Sequence, residues 1–263
     1  MQTAYTYTTN VGGKQRNQDS LLVLQAETEG HGQVTFAAIC DGMGGLSKGE
    51  LSSAEVISSF RRWFCESLPS ILRAAEGEDF NYEVALRFSW KKLLTNVNRK
   101  LLAYGKTHGC QLGTTAAGIL LLANADYILN VGDSRVYRVT ESKLEVLTHD
   151  QTLAMAAVDR GELPLALLEG HPQGNVLLSC IGANETVDMQ FLTCPVEEET
   201  VFLVCSDGFR HRLLEKEIQE AFLPSRWTNT EEVRLRMEKL VEEAMKRGER
   251  DNITAIALRC VPR

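Results

Sequence analysis

The sequence predicts an α+β domain in which two antiparallel sheets carry helices inserted between strands and packed outside them. Three observations point there. Apolar runs of strand length, bounded by turn residues, open and close the chain. From residue 48 to 108 the apolar residues change to a helical period. From 113 to 149 the runs return with linkers so short that hairpins and a meander are expected.

In order, strands are expected at "TAYTYTTN" (3–10), "SLLVLQAE" (20–27) and "QVTFAAIC" (33–40), with turn residues between them. In 48–108, Val56, Ile57, Phe60 and Phe64 share one helical face, and Leu86, Trp90, Leu93, Leu94, Val97 and Leu101 share another. Pro69 and "EGED" (76–79) separate two helices, read as an antiparallel pair. Strands follow at 113–123, 126–132, 134–140 and 143–149. A short helix and an irregular segment come next, then strands at "NVLLSCI" (175–181), "VDMQFLT" (187–193) and "TVFLVCS" (200–206). Short helical signals follow Phe209. An amphipathic helix is expected over 231–247, with Val233, Met237, Leu240, Val241 and Ala244 on one face. The final strand is "NITAIALRC" (252–260). No repeat or low-complexity linker interrupts this order, so 1–263 reads as a single domain.

Composition narrows the function classes. The 263 residues carry a net charge of -7, with 44% hydrophobic and 24% charged residues, an ordinary globular balance. No basic stripe suggests a nucleic-acid surface; Arg61-Arg62 and Lys91-Lys92 read as solvated helix faces. The N-terminal "MQTAYTYTTN" lacks the basic and apolar regions of a signal peptide, and the stretch around "AAGILLLANA" is too short to span a bilayer. A soluble cytoplasmic monomer without nucleic-acid or membrane partners is the expectation. The seven cysteines form no C-x-x-C pair and read as free thiols; the five histidines form no zinc motif.

The chemistry gathers on aspartates. "FAAICDGMGGLSKGE" (36–50) sets Asp41 at the end of an apolar strand in a glycine-rich loop. Two nucleotide motifs fail there on spacing: a Walker loop needs Lys where Glu50 stands, and a dinucleotide loop needs Gly where Ser47 stands. Asp19 in "RNQDS", Asp133 in "GDSR", Asp207 in "CSDGF" and Asp251 in "RDNIT" also flank apolar strands. One aspartate at a strand end is first of all a turn residue. Five at converging strand ends could not all stay ionised, since each raises the others' pKa values. Divalent cations would balance them, and an all-oxygen donor set favours Mg²⁺ or Mn²⁺. Two such ions, bridged by a carboxylate and a water, make a hydrolytic site for phosphate esters.

The ordered set "RNQDS", "CDGMGG", "GTTA", "NVGDSRVYR", "LTHDQTLA", "CSDGF" and "RDNIT" resembles the metal-dependent type 2C protein phosphatases, the PPM family, over about residues 5–258. The compact length and the "DGMGG" form are similar to its bacterial members. The resemblance implies a four-layer α-β-β-α sandwich with metals at one end, a helical insertion at about 48–108 and a variable flap at about 151–175. It implies a protein serine/threonine phosphatase acting on phosphoproteins opposite a Ser/Thr kinase, with two to three Mn²⁺ or Mg²⁺ ions. On it, Asp41 would bridge two metals and the Gly42 carbonyl would ligate one. Asp207 and Asp251 would bind the second metal. Asp19 would hold metal-bound waters or coordinate directly, and Asp133 with Asp207 would form a weaker third site.

This chain also departs from the family. The Arg expected five residues before Asp19, which grips substrate phosphate, is Lys14; Arg16 is the nearest arginine. Lys cannot make the two-pronged contact of Arg. Met43 stands where animal relatives place a His, and Gln18 where they place an acid. The alternative reading is a catalytically impaired relative that binds phosphoproteins. Such a relative is expected to have lost Asp41, Asp207 or Asp251, and all three are present.

Overall fold

The structure, a computed structural model, describes residues 2–43, 48–75, 80–168, 170–197 and 199–261. Among these residues, ten strands form two five-stranded antiparallel sheets. The first contains β1 (Gln2–Asn10), β10 (Ile253–Val261), β9 (Thr200–Cys205), β6 (Arg135–Val139) and β7 (Leu144–Val146), in that order. The second contains β2 (Ser20–Thr28), β3 (Gly32–Cys40), β4 (Ala116–Leu121), β5 (Asp126–Val131) and β8 (Gln190–Cys194).

The central strands read as unbroken apolar runs because both of their faces are covered. On β3, Phe36, Ala38 and Cys40 face α1 (Gly49–Glu66) and α3 (Tyr82–His108), against Val56, Phe60, Trp63 and Trp90. The alternate residues Ala37 and Ile39 face the other sheet, against Val204, Ile256 and Leu258. The first sheet's outer face packs Leu203, Cys205 and Ala255 on α5 (Asp207–Arg210), α6 (Glu215–Phe222) and α7 (Thr230–Lys246), through Phe209, Phe222, Val233 and Met237. These are the four layers expected.

Three expectations about the elements are corrected. Residues 48–108 hold three described helices, because Pro69 lies in the first turn of α2 (Leu68–Ala74), where its missing N–H has no helical partner to lose. Residues 76–79, read as the helix separator, lie outside the described residues. The run from 113 to 149 is two hairpins in different sheets, β4–β5 and β6–β7. The chain crosses between sheets at Gly132, whose φ of +100° and contact with Thr115 leave no room for a side chain; a Cβ there would lie 2.7 Å from Thr115 Cγ2. Finally, 175–181 is no strand. Its main chain bonds back to the segment after β7, Leu153 N–H to Val176 and Leu178 N–H to Gln151, while Val176 and Leu178 face solvent. That segment, expected as the flap, holds α4 (Leu153–Asp159) and a 3₁₀ turn at Leu165–Leu167.

Asp126 opens β5 at the far end of the sandwich from Asp41, since β4 and β5 pair Leu121 with Asp126 there and Ala116 with Val131 near Asp41. It is 1% exposed, its Oδ1 has no hydrogen-bond partner, and burial pushes it from 3.8 to about 7, against the pull of Arg138. A carboxylate raised on folding stabilises the protein while protonated, and that stability disappears as pH rises through the folded value. Asp126→Asn is therefore expected to exceed the wild type in denaturant stability at pH 8, with the gap closing towards pH 4. A variant less stable than wild type at pH 8 would contradict this.

Candidate metal centre

Strand register brings the five aspartates to one end of the sandwich. Ser20 pairs with Cys40, so Asp19 and Asp41 leave β2 and β3 side by side. Ala255 pairs with Cys205, which places Asp251 and Asp207 beside each other at the facing ends of β10 and β9. Arg135 also pairs with Cys205, so Asp133 enters the same end from the crossing between sheets.

The backbone around Asp41 is clamped. Its N–H donates to Thr115 Oγ1 at 3.0 Å, and its carbonyl accepts from Thr115 N–H at 2.9 Å and Thr114 Oγ1 at 2.8 Å. Gly42 N–H donates to the Gln18 carbonyl at 3.2 Å. A Cβ on Gly42 would lie 2.4 Å from the Gly49 oxygen and 2.6 Å from the Gln18 oxygen, so only glycine fits between helix α1 and the loop before β2. The motif glycines Gly44 and Gly45 lie outside the described residues.

Ser206 ties the sheets together at this end: its Oγ donates to Asp19 Oδ2 at 3.1 Å and accepts from Thr254 N–H at 3.0 Å. Asn252 holds the loop that carries Lys14 and Arg16. Its Oδ1 accepts from Gln18 N–H at 2.8 Å, and its Nδ2 donates to the carbonyls of Val11 at 2.9 Å and Arg16 at 3.0 Å. Glu249 Oε1 accepts from Asp251 N–H at 2.8 Å, and His211 Nδ1 lies 3.7 Å from Asp207 Oδ2 and 3.9 Å from Glu249 Oε2.

Burial and mutual repulsion together govern the charges. Asp41 is held well above the carboxylate range by burial, then by Asp19, Asp207, Asp133 and Asp251. Burial, with Asp207 adding to it, takes Asp19 to about 6 and Asp133 to about 7. Asp207 is raised by burial, opposed by Arg210. His211 is lowered, by burial and then by Arg210.

The residues fit hard divalent ions. Asp19 Oδ1 and Asp207 Oδ1 are buried with no hydrogen-bond partner, a costly state for a carboxylate oxygen that a cation relieves. Among the described residues, no three His, Cys, Asp or Glu side chains form a complete ligand set. The donors gathered here are carboxylate oxygens, which suit Mg²⁺-like ions better than a closed zinc site of nitrogen and sulfur.

The two basic candidates separate. Lys14 Nζ lies 3.1 Å from Asp251 Oδ2, at the cluster. Arg16 is 79% exposed in its side chain and pairs with Glu50 at 3.3 Å. Neither is on a strand, so strand alternation does not relate them.

A family model described as Protein phosphatase 2C matches residues 8–245. The chain belongs to the protein phosphatase 2C family. It is 28% identical over 223 residues to the serine/threonine phosphatase stp of Listeria monocytogenes, covering 83% of this chain and 81% of that one. Its fold is similar to that of the serine/threonine phosphatase Stp1 of Staphylococcus aureus, with a TM-score of 0.83 at 21% identity, covering 100% of this chain and 96% of that one. It is also similar to the catalytic domain of the phosphatase PstP, solved with two manganese ions, with a TM-score of 0.74 at 21% identity and 99% of both chains covered.

Asn252, Ser206, Thr115 and Glu249 were not expected from sequence as parts of this phosphatase 2C site. Each lies within or beside an aspartate motif or the "GTTA" motif, which is the signal that could have found them. Asn252→Ala is expected to lower unfolding stability by about 1–3 kcal/mol, because it removes the three hydrogen bonds that buried Asn252 makes to the 11–18 loop. It is also expected to speed proteolysis within that loop. Wild-type stability with unchanged cleavage would contradict the role given to Asn252.

Proposed function

We propose that this phosphatase 2C removes phosphate from phosphoserine and phosphothreonine in proteins, with Mn²⁺ or Mg²⁺ held by the aspartate cluster. The observation that carries the reading is Asp41. Its main chain is fixed by three hydrogen bonds, at the centre of four other aspartates whose repulsion divalent cations relieve.

In this reading Asp41 and the Gly42 carbonyl bind the metals together with Asp19, Asp207 and Asp251. When bound, the ions supply Lewis-acid polarisation of the phosphoryl oxygens and a water deprotonated near neutral pH. The chain's own groups do the rest. The threonine clamp keeps Asp41 from yielding as charge shifts during the reaction. Ser206 orients Asp19 by donating to its Oδ2. Lys14, held beside Asp251 at the edge of the cluster, would offer its ammonium to the substrate phosphate. Arg16, tied to Glu50 and turned to solvent, is left to the rim. With Met43 in the loop after Asp41, no side-chain acid is assigned to the leaving alcohol.

The reading extends to one phosphatase domain over 1–263, with 151–175 as a flap, acting as a cytoplasmic monomer on phosphoproteins made by a Ser/Thr kinase. A net charge of -7 supports the absence of a nucleic-acid partner, and no described helix is long and apolar enough to cross a membrane.

Hydrolysis of a phosphothreonine peptide is expected with Mn²⁺ or Mg²⁺ and to stop in excess chelator; full activity in chelator would reject the mechanism. Under the same assay Lys14→Ala is expected to lower kcat/KM by about 10- to 150-fold, mainly through KM, and Arg16→Ala to change it little. The opposite ranking would move the phosphate contact to Arg16.

A further inference from the structure

Positive charge is unevenly placed around the aspartates. Arg210 closes α5, the short helix that Asp207 opens, and its side chain is only 12% exposed. Its Nη2 donates to the Asp133 carbonyl at 3.0 Å and to Asp150 Oδ2 at 3.1 Å. Asp150 is gripped from behind by Arg135, Nε to Oδ1 at 2.7 Å and Nη2 to Oδ2 at 2.8 Å, and Arg135 Nη1 donates to the Tyr137 hydroxyl at 3.1 Å. This two-pronged pair leaves Arg210 little freedom to swing away. Its guanidinium therefore stays beside Asp133 and Asp207. The charges that act most strongly on Asp41, by contrast, are all carboxylates.

We propose that Arg210 is a built-in cation on the Asp133–Asp207 side, standing in for a third and weaker divalent ion, so that the chain binds two ions. The inference rests on the metal-dependent reading above and departs from the third site that family resemblance implies. Charge balance supports it. Asp19, Asp41, Asp133, Asp150, Asp207, Asp251 and Glu249 bring seven negative charges when ionised, and Arg135, Arg210 and Lys14 return three. Four remain, which two divalent ions cancel. A third ion would make a buried site positive next to a fixed guanidinium. Through the Asp133 carbonyl, Arg210 also joins the crossing between the sheets to the helix that carries Asp207.

The test is a Mn²⁺ titration of the full metal-stripped chain, followed by calorimetry and by the paramagnetic resonance signal of free Mn²⁺ into the millimolar range. Two Mn²⁺ per chain are expected for the wild type and for Asp133→Asn. Arg210→Ala is expected to bind a third, which Arg210→Ala combined with Asp133→Asn loses again. Three ions on the wild type, one of them lost in Asp133→Asn, would overturn the proposal, and that comparison stands even if Arg210→Ala does not fold. A folded Arg210→Ala that binds two would overturn the role given to Arg210. No Mn²⁺ bound at all would bring down the metal-dependent reading and this inference with it, an outcome distinct from a count of three.

Discussion

The repulsion among carboxylates at Asp41 is the constraint on which this end of the molecule depends. Burial pushes Asp41 well above its ordinary range, and folding brings Asp19, Asp207, Asp133 and Asp251 close enough to push it the same way. Without cations such a cluster can only hold protons or loosen. The apolar core pays for keeping it together: the aspartates leave strands packed between two sheets and two helical layers. The site is thus a place where stability is given up for affinity towards positive charge.

The supports of the cluster are mostly neutral. Thr114 and Thr115 hold Asp41, Ser206 holds Asp19, and Asn252 holds the loop before Asp19. None of these adds charge, so each fixes geometry without cancelling the field that draws the metals. Arg210 is different. It is placed on one side and braced by Asp150, where it offsets Asp133 and Asp207 and leaves the field around Asp41 unrelieved.

Much of this was legible in the sequence. The apolar run from Phe36 to Cys40 showed a strand because its residues are buried on both faces, and Asp41 stood at its end where backbone geometry makes side-chain direction predictable. The stripe through Leu86, Trp90, Leu94 and Leu101 gave the long helix because that one face is buried. Less legible were features set by contacts distant in sequence. The hairpins at 113–149 divide between sheets because of one glycine packed on Thr115, and no local pattern marks that choice. Residues 175–181 read as a strand, yet Val176 and Leu178 bond to the segment after β7 and Ile181 to Thr114. Asn252 bonds to a loop more than two hundred residues away, which only the closure of β10 on β1 explains. Spacing from Asp19 favours Lys14 over Arg16 in the sequence, but their partners Asp251 and Glu50 are set by the fold.

The central claim is that the cluster is strained until cations relieve it, and thermal unfolding at pH 8 tests it most directly. A group whose folded pKa is raised destabilises the protein above that value, so removing its charge should help the metal-free fold. In chelator, Asp41→Asn is predicted to melt above the wild type. Mn²⁺ at about a hundredfold over its dissociation constant is predicted to raise the wild type by about 5–10 °C and the variant by much less. A variant that melts below the wild type in chelator, with Mn²⁺ raising both equally, would contradict the account.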